Sequence, residues 1–587
     1  MSVTKRILAA LLVLLLVVGL WGWLRVRAIE RRAYDLATVG RGAIALLGEY
    51  ASAVATGDAA KARDCYAPDF AQAQGPLQQE LVDRHDDVTV WRWSRGAAES
   101  TDAEGLVSDT LRFVGELGTV DWKKGKLRLV ESQEGTRSAV IRSVLWLRGK
   151  TPEGELFESQ ARFRMWIADD GKGGWHIERQ ELLDGRTVTG PGTGFADRAA
   201  DVGLDFVATR NPRFDDPDWQ PKAFEIVQYA SAGVSAADYD GDGWYDVFLG
   251  DGAAARLYRN EGRQGDGGIR FRDVTAEVGL PADLPGVNLG LFVDFDNDGD
   301  QDLFLGRYMD GNKLFANDGG RFREIPIAGE LARSFVTVAA ARDYDGDGLV
   351  DLYLGRYLDP RTDLPSTSFY TRNSQGNSLL RNVGGLEFTD VTATAGVREG
   401  GLTLGVSWGD YDADGDDDLH IANDFGRNAL LRNEGDGTFT DVSVDSGTLD
   451  PGFGMSSSWG DPDNDGDLDI YVSNVHSGQR WYGQAPTISR YLVTSLKEGT
   501  IREDLPLYRE IYHDMGADWQ VFGDAVTRGN SLLINDGAGG FVESSEIAGV
   551  NPYGWYWGSG FLDYDNDGRL DIYAANGWIS APSLDDL

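Results

Sequence analysis

Six short stretches of this chain carry aspartates in one fixed pattern. Each spans nine residues, with Asp at positions 1, 3, 5 and 9 and Gly at position 6. The first holds Asp238, Asp240, Asp242 and Asp246, the second Asp294, Asp296, Asp298 and Asp302, the third Asp343, Asp345, Asp347 and Asp351. The fourth holds Asp410, Asp412, Asp414 and Asp418, the fifth Asp461, Asp463, Asp465 and Asp469, the sixth Asp563, Asp565, Asp567 and Asp571. Carboxylates at alternate positions of a tight loop converge on one point. A hard cation that takes six to eight oxygens at about 2.3–2.6 Å can use that arrangement. The glycine (Gly243, Gly299, Gly348, Gly415, Gly466, Gly568) supplies a sharp turn that a side chain would resist. The position-7 carbonyl offers a further ligand whatever its side chain. Calcium suits such a loop better than magnesium, which demands stricter octahedral geometry and keeps several waters. An EF-hand is excluded, because its position-12 Glu is replaced here by Leu249, Leu305, Leu354, Ile421, Val472 and Ala574. One Asp/Gly run alone would read as a solvated turn. Six full copies point to about six bound Ca²⁺.

The elements that must position these loops follow from the residues after them. Each loop runs into an alternating, largely apolar stretch such as Leu419-His420-Ile421-Ala422, which reads as a β-strand. Next comes Asn-x-Leu-(Leu/Phe)-x-Asn-x-Gly, then Phe-x-Asp-Val-Thr and Ala-Gly, clearest at 377–397 and 428–447. Successive loops start 56, 49, 67, 51 and 102 residues apart. A period near 50 built from short strands predicts β-propeller blades, six or seven in number. The long last gap places an aromatic-rich, helical insertion at about 476–528, where a further blade has no visible signature. Residues 195–204 read like the end of a repeat stranded before the first loop, which could complete the last blade and so remove its exposed edge. Trp408, Trp459 and Trp557, just before loops, read as blade-core residues.

The chain before residue 195 has a different pattern. Residues 7–24 are 18 uninterrupted apolar or glycine residues, a length that marginally spans a bilayer. Trp21, Trp23 and Arg25 stand where a signal peptide would have its small-residue cleavage site, so residues 1–27 read as an uncleaved signal anchor. Arg25, Arg27, Arg31 and Arg32 follow it and do not favour export, yet large domains translocate despite local charge. Calcium loops fit an extracytoplasmic setting, so the C-terminal side is expected outside. Residues 28–60 read as helix. Strand-like runs follow at 88–93, 106–114, 127–132, 138–148, 158–167 and 175–183, giving an α+β domain over 28–185. The stretch 186–194 (RTVTGPGTG) reads as a linker, and 195–587 as the repeat domain.

Composition bounds the partners. Among 587 residues there are 55 Lys and Arg against 94 Asp and Glu, a formal charge of −39. The loops hold 28 of those acids. Such a charge opposes nucleic-acid binding, which needs cations to neutralise phosphates. Cys65 is the single cysteine, so no intrachain disulfide forms.

Residues 408–416 (Trp-Gly-Asp-Tyr-Asp-Ala-Asp-Gly-Asp) and 433–442 (Asn-Glu-Gly-Asp-Gly-Thr-Phe-Thr-Asp-Val) resemble the FG-GAP/VCBS repeat family, and more narrowly the cartilage acidic protein/ASPIC-UnbV group. The resemblance covers about residues 195–580. It implies a mainly β fold: a calcium-bearing propeller of six or seven blades, related to the integrin α head and used in extracellular interaction. It also implies calcium ligands at the aspartates named above. An ASPIC-like domain, which the narrower group would carry after the repeats, is not expected within the residues up to Leu587. The region around Tyr50, Gly57, Asp58 and Tyr66 to Phe70, with the strands after it, resembles the NTF2-like/SnoaL-like cone fold.

The function expected is therefore that of a membrane-anchored, extracytoplasmic calcium-binding propeller that recognises a protein or glycan at the cell surface or in the periplasm, with no catalytic residues. Two other readings stay open. One is a calcium-dependent hydrolase or lyase, against which the five histidines (His85, His176, His420, His476, His513) sit apart in sequence. The other is a purely structural envelope scaffold.

Overall fold

In a computed structural model of the chain, the described residues run from 39 to 577, apart from 192–197, 210–232, 366–369, 477–508, 510–528 and shorter breaks. The expected anchor at 1–27 and nearly all of the expected insertion lie outside them. Among the described residues no helix is long and apolar enough to cross a membrane. Two compact units divide the chain near residue 196.

The first unit is α+β. Its six-stranded antiparallel sheet has the order Leu77–His85, Val88–Arg95, Trp175–Gly190, Leu156–Asp169, Ser138–Lys150, Thr119–Ser132. Helix α1 (residues 42–56) is followed by α2 (Ala59–Asp64), which Asp58 caps by accepting from Lys61 N. Gly125, in the edge strand, lets α1 approach closely, since a Cβ there would sit 2.5 Å from the Leu47 carbonyl oxygen. Cys65 is buried and free, and burial pushes its thiol up to about 12.

Two expectations are corrected here. Residues 106–114 are not a strand but the middle of α3 (Ala103–Leu117). Leu106, Val107, Thr110, Phe113, Val114 and Leu117 are buried at helical spacing, and Asp102 caps the helix by accepting from Gly105 N. The stretch 186–194 is not wholly linker, because the strand runs to Gly190 and pairs Arg186 with Arg92 and Thr189 with Thr89. The β-branched Thr187, Val188 and Thr189 outweigh the Gly/Thr composition.

The second unit is built of antiparallel sheets in sequence order. Four have four strands, and a fifth set of four is joined by a last hairpin into a six-stranded sheet. Their first strands are Gly233–Ala237, Val287–Val293, Val336–Arg342, Leu402–Gly409 and Gly454–Gly460. Their second strands are Asp246–Gly250, Asp302–Arg307, Asp351–Arg356, Asp418–Asp424 and Asp469–His476. A sixth hairpin, Gly554–Leu562 with Asp571–Asn576, joins the fifth sheet through Val475↔Trp555 and His476↔Gly554. We number the sheets I to VI. In sheets I to V each second strand lies between the first and the third, and in II, III and IV every one of its residues is buried. Neighbouring sheets pack through their first strands, where Gly405 leaves no room for a Cβ, which would meet Ser456 Cα at 2.7 Å.

Ala199–Val202 form a short helix closed by Gly203, whose added Cβ would lie 2.5 Å from the Phe271 carbonyl oxygen in the outer strand of sheet I. Gly279 meets Phe322 O of sheet II at 2.5 Å, and Gly447 meets Phe541 O of sheet V at 2.8 Å. The stranded segment thus makes the contact with sheet I that a repeat's tail makes with the next sheet.

Candidate metal centres

Each Asp loop links the first strand of a sheet to the second. Position 1 shapes it. Asp238 Oδ1 accepts from Asp242 N (3.0 Å) and its Oδ2 from Gly243 N (2.9 Å). The same pair of bonds recurs at Asp294, Asp343, Asp410, Asp461 and Asp563. Position 5 then accepts from the position-7 N–H, as Asp414 does from Asp416 N at 3.0 Å. Position 4 adopts the left-handed region in every loop, with φ 57° even at Ala413. The Gly, Asn, Gly, Ala, Asn, Asn series at that position was a signal of this turn in the sequence.

Position 9 opens the second strand and is buried in loops I to V. Asp246 accepts from Asn260 N (2.7 Å) and Tyr239 N (3.2 Å). Asp302, Asp351 and Asp418 do the same with the corresponding residues. Burial, more than any neighbouring charge, lifts these carboxyls: Asp246 and Asp302 to about 6, Asp351, Asp418 and Asp469 to about 7.

Three carboxylates converge in five loops, with oxygens all within 4.8 Å of one another. The sets are Asp238/Asp240/Asp246, Asp294/Asp296/Asp302, Asp343/Asp345/Asp347, Asp410/Asp412/Asp418 and Asp461/Asp463/Asp465. In loops I, II and IV position 5 (Asp242, Asp298, Asp414) stands outside the set, and in loops III and V position 9 (Asp351, Asp469) does. Asp565 lies outside the described residues, so the sixth loop is described only at Asp563, Asp567 and Asp571. The residues fit a cation. The position-3 Oδ1 atoms of Asp240, Asp296, Asp345 and Asp412 are buried with no hydrogen-bond partner, a costly state for a carboxylate in this setting. An all-oxygen donor set of this charge suits calcium.

The asparagines of the repeat were visible in the sequence but their work was not. Asn382 Nδ2 donates to Phe295 O (2.7 Å) in the loop of the preceding sheet. Asn317 does so with Tyr239 O, Asn433 with Tyr344 O and Asn535 with Tyr411 O, at 2.7–2.9 Å. Since the same residues' N–H groups hold position 9 of their own loops, each asparagine ties two successive loops together. Trp408 and Trp459 pack within the sheet cores beside Phe439 and Phe541. His420 is fully buried, with Nδ1 2.7 Å from Ser457 Oγ, and burial lowers it to about 4.

The fold and loops define a mainly β repeat protein with one acidic loop per sheet. The FG-GAP-like repeat family matches residues 294–354, 410–472 and 520–574. The first two of these matches open on position 1 of loops II and IV and end in the following sheet's second strand. Human cartilage acidic protein 1 is 27% identical over 221 residues, 36% of this chain and 33% of that protein. The mouse protein is 25% identical over 233 residues, 38% of this chain and 36% of its own length. The chain is therefore a carrier of FG-GAP-like repeats with homology to cartilage acidic protein 1, and it spans about a third of the length of those relatives. A solved structure of an Agrocybe aegerita lectin that recognises non-reducing terminal N-acetylglucosamine is 14% identical, covering 81% of this chain and 89% of that one. Its TM-score of 0.29 carries no argument.

Proposed function

We propose that the chain is a membrane-anchored, extracytoplasmic recognition protein whose sheets close into a calcium-bearing β-propeller, and that it is a binding module and not an enzyme. The observation that carries this reading is the convergence of three carboxylates in each of five loops, four of which include a buried oxygen that lacks a partner. Calcium, when bound, supplies the positive charge those oxygens need. The residues do the rest. Position 1 and position 5 set the turn, position 9 anchors it to the second strand, and the asparagine of the next sheet grips the position-2 carbonyl. Fixing one loop therefore fixes the seam to its neighbour, which would give a recognition surface a rigid base. Ring closure is supported by residues 199–203, which pack on sheet I as a preceding repeat would, while sheet VI has two described strands. The anchoring part of the reading rests on the apolar run 7–24.

The test is metal analysis of the purified chain beside thermal unfolding in excess calcium and in chelator. Five to six ions per chain, the number set by the loops, and a higher transition with calcium are expected. No bound metal and superimposable transitions would end the calcium reading.

A further inference from the structure

The five convergent loops differ in one position of the third strand, the residue before the loop-tying asparagine. In sheets I and III it is arginine. Arg259 Nη2 lies 2.8 Å from Asp240 Oδ2 and 3.3 Å from Asp242 Oδ2. Arg381 Nε lies 2.7 Å from Asp345 Oδ2, and its Nη2 3.0 Å from Asp347 Oδ2. Positions 3 and 5 of these loops already have an internal counter-cation. Sheet IV also has an arginine there, Arg432, but Glu434 holds it at 2.8 Å. Sheets II and V carry Ala316 and Ile534 instead, and among the described residues no ion pair reaches an aspartate of either loop.

Loop V is set apart a second time. Its position 2 is Pro462, which has no N–H. In loops I to IV and VI the position-2 N–H donates to Oδ2 of the position-9 carboxylate. Asp469 keeps only the bond from Asn535 N, at 2.7 Å. Its Oδ2 is buried without a partner, in a residue 1% exposed that faces the Asp461, Asp463 and Asp465 charges. Next to the convergent Asp461, Asp463 and Asp465, this buried oxygen has neither an N–H nor an arginine to serve it, and it calls for a cation at loop V.

Building on the calcium reading, we infer that the loops form two tiers of calcium site: loop V, with loop II behind it, fills first and tightly, while loops I and III fill last because Arg259 and Arg381 must be displaced. Both arginines are partly exposed, with 36% and 43% of their side chains accessible, so they compete with the ion without blocking it. Without calcium each neutralises the aspartates of its own loop, and loop V is the calcium-dependent one. Its place in the fold gives this a purpose. The second and third strands of its sheet, Asp469–His476 and Ser531–Asn535, are separated by 54 residues of sequence. The Asn535–Asp469 bond closes that interval, so an ion in loop V would secure both ends of the intervening segment.

The experiment is a calcium titration of the purified full chain against a competing chromophoric chelator. The wild type should show a tight and a weak class of site. Asp463→Asn should remove an ion from the tight class and Asp345→Asn from the weak class. Arg259→Ala with Arg381→Ala should tighten the weak class about tenfold, the order expected for one charge and a divalent ion roughly 5 Å apart in a water-like dielectric. Arg381→Lys should leave it weak. Ile534→Arg should loosen the tight class by a similar factor of about ten. Arg381→Gln, which keeps the side chain's length, replaces the alanine variant if that one unfolds. A single class indifferent to both arginines, or loss of a tight ion on Asp345→Asn, overturns the tiers while leaving calcium binding intact. No binding at all by the wild type overturns the calcium reading and the tiers with it.

Discussion

Position 3 of each loop shows how one atom decides a role. Asp412 Oδ1 is buried and lacks a hydrogen bond, whereas both oxygens of Asp410 are occupied by backbone N–H groups. Position 1 builds the loop and position 3 waits for charge. Asp412→Ala with Asp414→Ala should remove one ion per chain with the fold retained, as metal analysis would show. Unchanged stoichiometry would dismiss loop IV as a site. His420 makes a different case. It sits where sheets II, III and V carry Phe304, Tyr353 and Tyr471, and its Nε2 is buried without a partner. Burial holds it neutral down to about 4, below the ordinary value near 6.5. The folded state thus binds fewer protons than the unfolded chain, and this contribution to stability is lost as pH falls from about 6.5 towards 4. His420→Phe should change stability at pH 7.5 by no more than about 1 kcal/mol and blunt the acid-induced fall. A denaturant series at two pH values would check it.

At the scale of the element, the third strand matters more than its few residues suggest. Its asparagine couples a sheet to its own loop and to the preceding loop. Asn382→Ala strands the Phe295 and Val350 carbonyls, which Asn382 Nδ2 reaches at 2.7 and 3.0 Å. The cost should be about 2 kcal/mol, in the range for unsatisfied buried polar groups. The signature that separates coupling from simple destabilisation is weaker calcium binding at loop II, one sheet away. If affinity at loop II is unmoved, the coupling is wrong. The N-terminal sheet teaches a complementary lesson. The apolar spacing in 103–117 suits either a short strand or a helix, and only the cap at Asp102 and the packing of Phe113 on Trp93, with ring centroids 4.6 Å apart, settle it as a helix.

Over the whole molecule, the calcium-free chain carries −39 with its position-9 carboxyls lifted by burial. A carboxyl held above its unfolded value costs stability when ionised, so the calcium-free protein should gain stability as pH falls from 8 through about 7 and 6 towards 5. Calcium needs the same groups ionised and should bind less well as they protonate. The rise in melting temperature on adding calcium is therefore expected to shrink from pH 8 to pH 5, and a larger rise at pH 5 would contradict the assignment of position 9. At pH 8, each independent site at a hundredfold excess over its Kd adds about 2.7 kcal/mol.

The sequence by itself determined the loops, because all the groups that shape one lie within nine residues and bond to one another's backbone. It also determined the strand that follows each loop and the period of the repeat, through local apolar alternation. Only the tertiary structure decided what joins the loops and what makes them unequal. The asparagine ties span 78 to 124 residues. The arginines that guard loops I and III, and the unserved oxygen of Asp469, depend on which side chains the antiparallel pairing brings beside a loop. Spacing along the chain fixes groups a turn apart, but hydrogen bonds and ion pairs across sheets depend on register and packing, which no local pattern contains.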